Sequence, residues 1–430
     1  MRRIVSLVVA SCLIVCGMLS MAWARTTLNI WSHWADEENK KAVFYEVANR
    51  FQKKYPDVQV NFTWYQKVDL KPALMAAIPG GTGPDVFYND PPWTEFVTEG
   101  LVADIADALD WGNVEEWARE MWERDGKIYS LQLEAWTVEL YYNKDIFEEL
   151  GIVVPPNYQF NTEEFREVVR KCVAAGYDAF AAGTADRDYP GFFIGEMLLL
   201  HKLGKEDMDK LYKCDLSWKD PRVVEVLNYW KELVDMGAYP EGISSIKLGE
   251  SHRYFYQEKR AAMFPMGAFY PGRAFVPPEK GGQPKDFRLG IMLYPSWPDG
   301  QGNHLVLLSP GGALAVNPLS RNIDLAKKFL AEFAQPDIGA LWLNKAVVPT
   351  GLKVDPSKIT ENREYWDMYF SVHKETENFV GLSNISFKGK MKDTVAQVLN
   401  AAFPAGLISV DEAIELLEDA RLEFLESSRK

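Results

Sequence analysis

The sequence predicts an α/β protein built as two lobes. Between Thr27 and Asp90, extended and helical patterns alternate in the order β-α-β-α-β, which implies a parallel sheet with helices on its faces. Residues 127–147 then carry two extended runs with Glu134 and Trp136 at their junction, the pattern of a chain crossing from one lobe to another. At 430 residues the chain is long enough to give each lobe its own core.

The first lobe reads in order. Thr27 to Trp34 is a strand followed by a loop with two tryptophans. A helix is predicted from about Glu37 to Lys54, with Val43, Val47 and Phe51 on one face and Phe44 and Ala48 beside it. Tyr55-Pro56-Asp57 stops that helix, and Val58, Val60, Phe62 and Trp64 alternate as the next strand. A second helix follows Tyr65-Gln66-Lys67 and ends at Pro79-Gly80-Gly81, and residues 84–90 form a third strand. Ligands of such sheets sit beyond the carboxyl ends of the strands, where Trp31 to Trp34, Tyr65 and Asp90 fall.

The junction segment reads YSLQLEAWTVELYYNKDIF from Tyr129 to Phe147. It resembles the interlobe segment of the bacterial extracellular solute-binding proteins of family 1, the maltose-binding-protein-like group that serves ABC importers. RFQKKYPDVQVNF (50–62), LKPALMAAIPGGTGPDVFYND (70–90) and EGLVADI (99–105) resemble their family counterparts in the family's order. The resemblance implies a two-lobed periplasmic-binding-protein fold of type II. Each lobe is then a mostly parallel sheet flanked by helices, and the chain crosses between lobes three times. It places residues 25–135 plus 310–348 in the first lobe and 136–309 plus 349–430 in the second. Ser309 to Pro318 resembles the second crossover and Val347 to Gly351 the third.

In the second lobe, Asn161-x-x-Glu164 reads as a capping box for a helix carrying Phe165, Val168, Val169 and Cys172 on one face. Residues 183–193 read as a loop containing Tyr189, where the family often places a ligand-facing aromatic. Asp220-Pro221 starts a helix with the stripe Val223, Leu227, Trp230 and Val234, ended by Gly237. Residues 260–270 resemble the family's strand and glycine loop with an aromatic three residues on. Phe269 or Tyr270 takes that place, where the family often has tryptophan. Leu325, Ala326, Phe329, Leu330 and Phe333 form a helix before Pro336. Ser409-x-x-Glu412 caps a last helix bearing Ala413, Leu416, Leu417, Ala420 and Phe424.

Residues 1–24 have the charged, apolar, small-residue order of a secretion signal, with cleavage expected after Ala24 and a periplasmic location. A lipid anchor at Cys12 is the alternative. Forty-seven Lys and Arg against 61 Asp and Glu give a net charge of −14, and the leader carries only arginines, so the remaining chain is more acidic still. That argues against nucleic acid or an anionic membrane as partner. Cys172 and Cys214 remain, expected as two separate core thiols rather than a disulfide.

The five histidines are scattered, and no metal-spaced cluster, nucleophile elbow or phosphate loop occurs. No cofactor, metal or catalytic residue is expected, and any energy coupling lies in a partner. The aromatic surplus, 13% with 14 Trp, suits sugar rings, whose C–H faces rest on aromatic planes while their hydroxyls need fixed acceptors. Trp31, Trp34, Trp93, Trp136, Tyr189, Phe269 and Tyr270 are the stacking candidates, and Asp36, Asp90 and Glu134 the hydroxyl acceptors. Tyr65, Lys67 and Gly312 complete the candidate set. Each has a structural alternative: Trp31 and Trp93 as packing residues, Asp90 as a helix cap, Glu134 in an interlobe ion pair. The function this implies is a secreted, monomeric substrate-binding protein that closes on a sugar or oligosaccharide and delivers it transiently to the permease subunits of an ABC importer. A polyamine binder on the same fold is the alternative, and a glycan hydrolase using Asp90 and Glu134 is a further one.

Overall fold

The computed structural model describes residues 25–185 and 190–427, so the leader, Cys12 and Tyr189 lie outside the described residues. The first sheet forms from β1 (Thr26–Ser32), β2 (Val58–Trp64) and β3 (Val86–Asn89), with helices α1 (Glu38–Lys54) and α2 (Lys67–Ala77) between them. Alternation in β2 buries one face only, whereas β3 is buried throughout as a central strand must be. Val43, Phe44, Val47, Ala48 and Phe51 of α1 are all buried against this sheet.

Further along come β4 (Leu131–Gln132), β5 (Ala135–Asn143), α3 (Lys144–Glu149), α4 (Thr162–Ala174), β6 (Asp178–Phe180), α5 (Pro190–Tyr212) and α6 (Pro221–Asp235). The second lobe continues with α7 (Leu248–Tyr256), β7 (Ala261–Gly267), α8 (Tyr270–Ala274), β8 (Leu289–Met292) and β9 (Leu305–Pro310). The chain ends with β10 (Ala313–Val316), α9 (Ile323–Phe333), α10 (Ile338–Ala346), α11 (Arg363–Val372), β11 (Glu377–Val380) and α12 (Val410–Ser427). Strand order is β2-β1-β3-β10-β4 in one sheet and β11-β9-β5-β7-β6 in the other, with β8 also paired to β5.

Both sheets are mixed rather than mostly parallel. β1, β2 and β3 run together, but β10 is antiparallel to β3 and β4. In the second sheet β5 is antiparallel to β7, β8 and β9, while β9 with β11 and β7 with β6 are parallel. The crossings cause this: β5 leaves the hinge into the second sheet, β9 returns to it, and β10 leaves it into the first. The first two crossing segments lie side by side, and residues 349–350 pair against the first of them. Gly311 donates to the Glu134 carbonyl at 2.8 Å, Glu134 to that of Gly312 at 3.0 Å, and Ala135 to that of Pro349 at 3.0 Å.

Local signals act as expected at several ends. Asn161 and Glu164 exchange capping hydrogen bonds at 2.9 Å each way, and Ser409 with Glu412 does the same. Asp220 caps α6, where Leu233 is buried and Val234 only half so. Residues 190–193, expected as loop, instead open helix α5, since proline is tolerated in a first turn. Leu416 is half exposed because the buried stripe of α12 runs through Ala413, Ile414, Leu417 and Ala420. Cys172 and Cys214 are buried, free thiols.

Candidate functional site

A cleft of about 1110 Å³ lies between the two sheets, floored by the crossing segments. Three strand ends point their following residues into it: β1 delivers His33, β3 delivers Asp90, and β7 delivers Phe269. From the crossovers come Glu134, Trp136 and residues 309–312.

The first wall is a network of paired charges. Lys40 Nζ lies 2.9 Å from Glu134 Oε1 and 2.7 Å from Glu37 Oε2. Lys67 Nζ lies 2.9 Å from Asp90 Oδ2, and the Tyr88 hydroxyl donates to Asp90 Oδ1 at 3.0 Å. Burial opposes the charge on Lys40, but Glu134 and Glu37 outweigh it and hold its pKa above that of an ordinary lysine. Burial and then Asp90 push the Tyr88 hydroxyl far up, so it remains a donor. Burial, followed by Lys67 and Lys40, drives His33 down to about 2, leaving a neutral imidazole edge-on to Tyr88 at 4.3 Å. At the rim, Gln66 donates to Asp36 at 2.8 Å.

The aromatic part is Trp136 against Phe269, ring centres 5.2 Å apart and nearly perpendicular. Gly267 makes room for them: a Cβ there would meet both rings at about 2.5–2.6 Å. Gly312 is required for the same reason, since its Cβ would lie 2.1 Å from the Tyr88 ring.

Of the residues singled out in the sequence, Asp36, Lys67, Asp90, Glu134, Trp136, Phe269 and Gly312 therefore meet in the cleft. Trp34 does not. It is fully buried among Phe44, Tyr88 and Trp342, because chain alternation turns His33 to the cleft and Trp34 to the core. Tyr270 is likewise buried, stacked on Tyr141 at 4.5 Å, and its neighbour Phe269 faces the cleft. Trp93 packs on Phe96 and Tyr88, and Tyr65 pairs with Trp31 at 5.2 Å; none of these three lines the cleft. Glu134 is in an ion pair, but its partner Lys40 belongs to α1 beside the hinge.

Sequence reasoning missed His33, Lys40 and Tyr88, and on the opposite wall Lys247, His252, Arg253, Tyr256, Arg273 and Lys280. One signal was available: Lys40 falls on the apolar stripe of α1 with Phe44, Val47 and Phe51, an unusual place for a lysine without a buried partner.

Residues 34–340 match the family described as bacterial extracellular solute-binding protein. The chain is 34% identical over 147 residues to the maltotriose-binding protein of Pyrococcus abyssi, covering 32% of each chain. It is 23% identical over 363 residues to the arabinooligosaccharide-binding protein of Bacillus subtilis, covering 80% of this chain and 78% of that one. It spans about half of the length of several other curated relatives it matches. Among solved structures, a chitin oligosaccharide binding protein superposes with a TM-score of 0.75 at 18% identity, over 92% of this chain and 98% of that one. The fold, the three crossings and the match over most of its length show that this chain belongs to the bacterial extracellular solute-binding protein family.

Proposed function

We propose that the protein is the extracytoplasmic substrate-binding component of an ABC importer and holds a sugar or oligosaccharide between its lobes without changing it chemically. One observation carries this reading. Ion-paired carboxylates, Asp90 and Glu134, face an aromatic pair, Trp136 and Phe269, across one cleft. Fixed acceptors suit hydroxyls, and rings suit the C–H face of a pyranose. The relatives named for maltotriose and arabinooligosaccharide support the same class.

The cleft also speaks against the alternatives. Lys247, Arg253, Arg273 and Lys280 line its second wall without an ion-pair partner among the described residues, and a polyamine would have to approach them. Asp90 and Glu134 each accept from a lysine ammonium, an arrangement for binding hydroxyls rather than for donating a proton to a glycosidic oxygen. No helix among the described residues is long and apolar enough to cross a membrane.

The lobes proposed are residues 25–135 with 310–348 and 136–309 with 349–430, closing about the three crossings onto the ligand. Permease subunits would then recognise the closed monomer. A thermal-shift screen of the chain from Arg25 onward against sugars, oligosaccharides and polyamines tests the reading. A true ligand at a hundred times its Kd adds about 2.7 kcal/mol of stability. Stabilisation by polyamines alone, or turnover of a glycoside, would overturn it.

A further inference from the structure

The two walls of the cleft differ in how their charges are used. On the first wall Lys40 and Lys67 are spent on Glu37, Glu134 and Asp90. On the second, Lys247 and Arg253 of α7, Arg273 of α8 and Lys280 of the following loop are exposed to the same cleft. None of these four forms an ion pair with a described residue; Glu250 accepts the Lys247 backbone N–H as a helix cap, and Glu241 and Glu258 line an adjoining hollow with Arg253. Four cations without an ion-pair partner on one wall run against a chain whose net charge is −14.

The wall is also held in place. The Tyr256 hydroxyl donates to the Gly281 carbonyl at 2.8 Å and Gln257 Nε2 to that of Gly282 at 3.1 Å, fastening the Lys280 loop to α7. Arg253 and Arg273 both line the cleft beside Tyr256. Behind them stands His252, 1% exposed and stacked on Tyr270 at 5.6 Å. Neither of its ring nitrogens has a hydrogen-bond partner among the described residues, although the residue lines the cleft. A buried polar group without a partner is costly unless a ligand completes it. Burial and the Arg273 charge keep this ring neutral, with one N–H to give and one nitrogen to accept.

Resting on the carbohydrate reading above, we infer that the ligand is an acidic sugar, a uronic acid or an oligosaccharide containing one. Its carboxylate sits against Arg253, Arg273 and Lys280, with a neighbouring hydroxyl on His252. Guanidinium forks match carboxylates two bonds at a time, which a neutral hydroxymethyl group cannot answer. The carboxylates of the first wall repel the reversed orientation, so the charge pattern sets which way round the sugar enters.

The test is calorimetry on the chain from Arg25 onward with matched pairs: oligogalacturonides and glucuronic-acid-bearing xylo-oligosaccharides, each against its carboxyl-reduced form, with sulfated and phosphorylated sugars alongside. The expected result is that one acidic member binds about tenfold or more tighter than its reduced partner, the value of one good charge-assisted contact. That ratio should shrink as salt is raised and screening sets in. Arg273→Gln combined with Lys280→Gln should bring the ratio towards one, while Arg273→Lys keeps part of it, and melting temperatures report that each variant folds. Equal or tighter binding of the reduced sugars overturns this inference and leaves the carbohydrate reading standing. Preference for sulfate or phosphate over uronate overturns the carboxylate assignment. Binding of no carbohydrate of either kind overturns the carbohydrate reading itself.

Discussion

Lys40 Nζ and Glu134 Oε1 lie 2.9 Å apart, joining the first helix to the first crossing at the floor of the cleft. Both side chains are less than a tenth exposed, and Lys40 also sits 5.2 Å over the Trp34 ring. Removing one partner strands the other charge in a poorly solvated place. Lys40→Met is therefore expected to cost about 3–5 kcal/mol in urea unfolding, and adding Glu134→Gln should recover part of it. A loss under about 1 kcal/mol would mean the pair is screened like a surface bridge.

Trp34 and Trp136 should fail in different ways. Trp34 is wholly inside the first lobe, so Trp34→Ala is expected to cost about 3–5 kcal/mol of stability. Trp136 touches Phe269 and faces the cleft, so Trp136→Ala should weaken ligand binding roughly tenfold. Denaturant melts and calorimetry on both variants separate the two roles. Unchanged affinity in Trp136→Ala would return that ring to a packing role.

Glu196 gives a pH signature away from the cleft. It is buried on α5, where the Tyr212 hydroxyl donates to it at 2.6 Å, and the Ser383 backbone N–H donates at 2.5 Å. Burial raises its pKa from 4.5 to about 7 in spite of those donors. The folded chain thus holds a proton that the unfolded chain has lost, and stability falls as pH rises. The contribution is complete below about pH 4.5 and gone by about pH 7. Relative to Glu196→Gln, the unaltered chain should lose up to about 3 kcal/mol across that window. A flat difference between the two chains would mean that Glu196 is charged throughout.

The proposed closure is tested in solution. Glu134, Gly311–Gly312 and Pro349 exchange backbone hydrogen bonds at the floor of the cleft, and the proposed rotation about them would leave each sheet intact. A ligand that touches both walls favours the closed form by the difference in its affinities. Small-angle scattering should show a smaller radius of gyration at saturation. An unchanged radius would identify a preformed groove.

Much of the fold was legible in the chain because local chemistry decides it. The apolar spacing of Val43, Phe44, Val47 and Phe51 makes α1, the alternation from Val58 to Trp64 makes β2, and Asn161 with Glu164 starts α4 without help from distant residues. Tertiary structure decided what depends on the meeting of segments far apart. Strand parity gave the cleft His33 and the core Trp34, although both follow the same strand. Tyr270 went inward and Phe269 outward because Gly267 lets Phe269 lie against Trp136. Antiparallel pairing in both sheets came from the direction in which each crossing leaves the hinge. The cations Arg253, Arg273 and Lys280 read singly as solvated charges. They become one wall only when α7, α8 and the next loop pack together, because a charge field depends on distances that spacing along the chain does not fix.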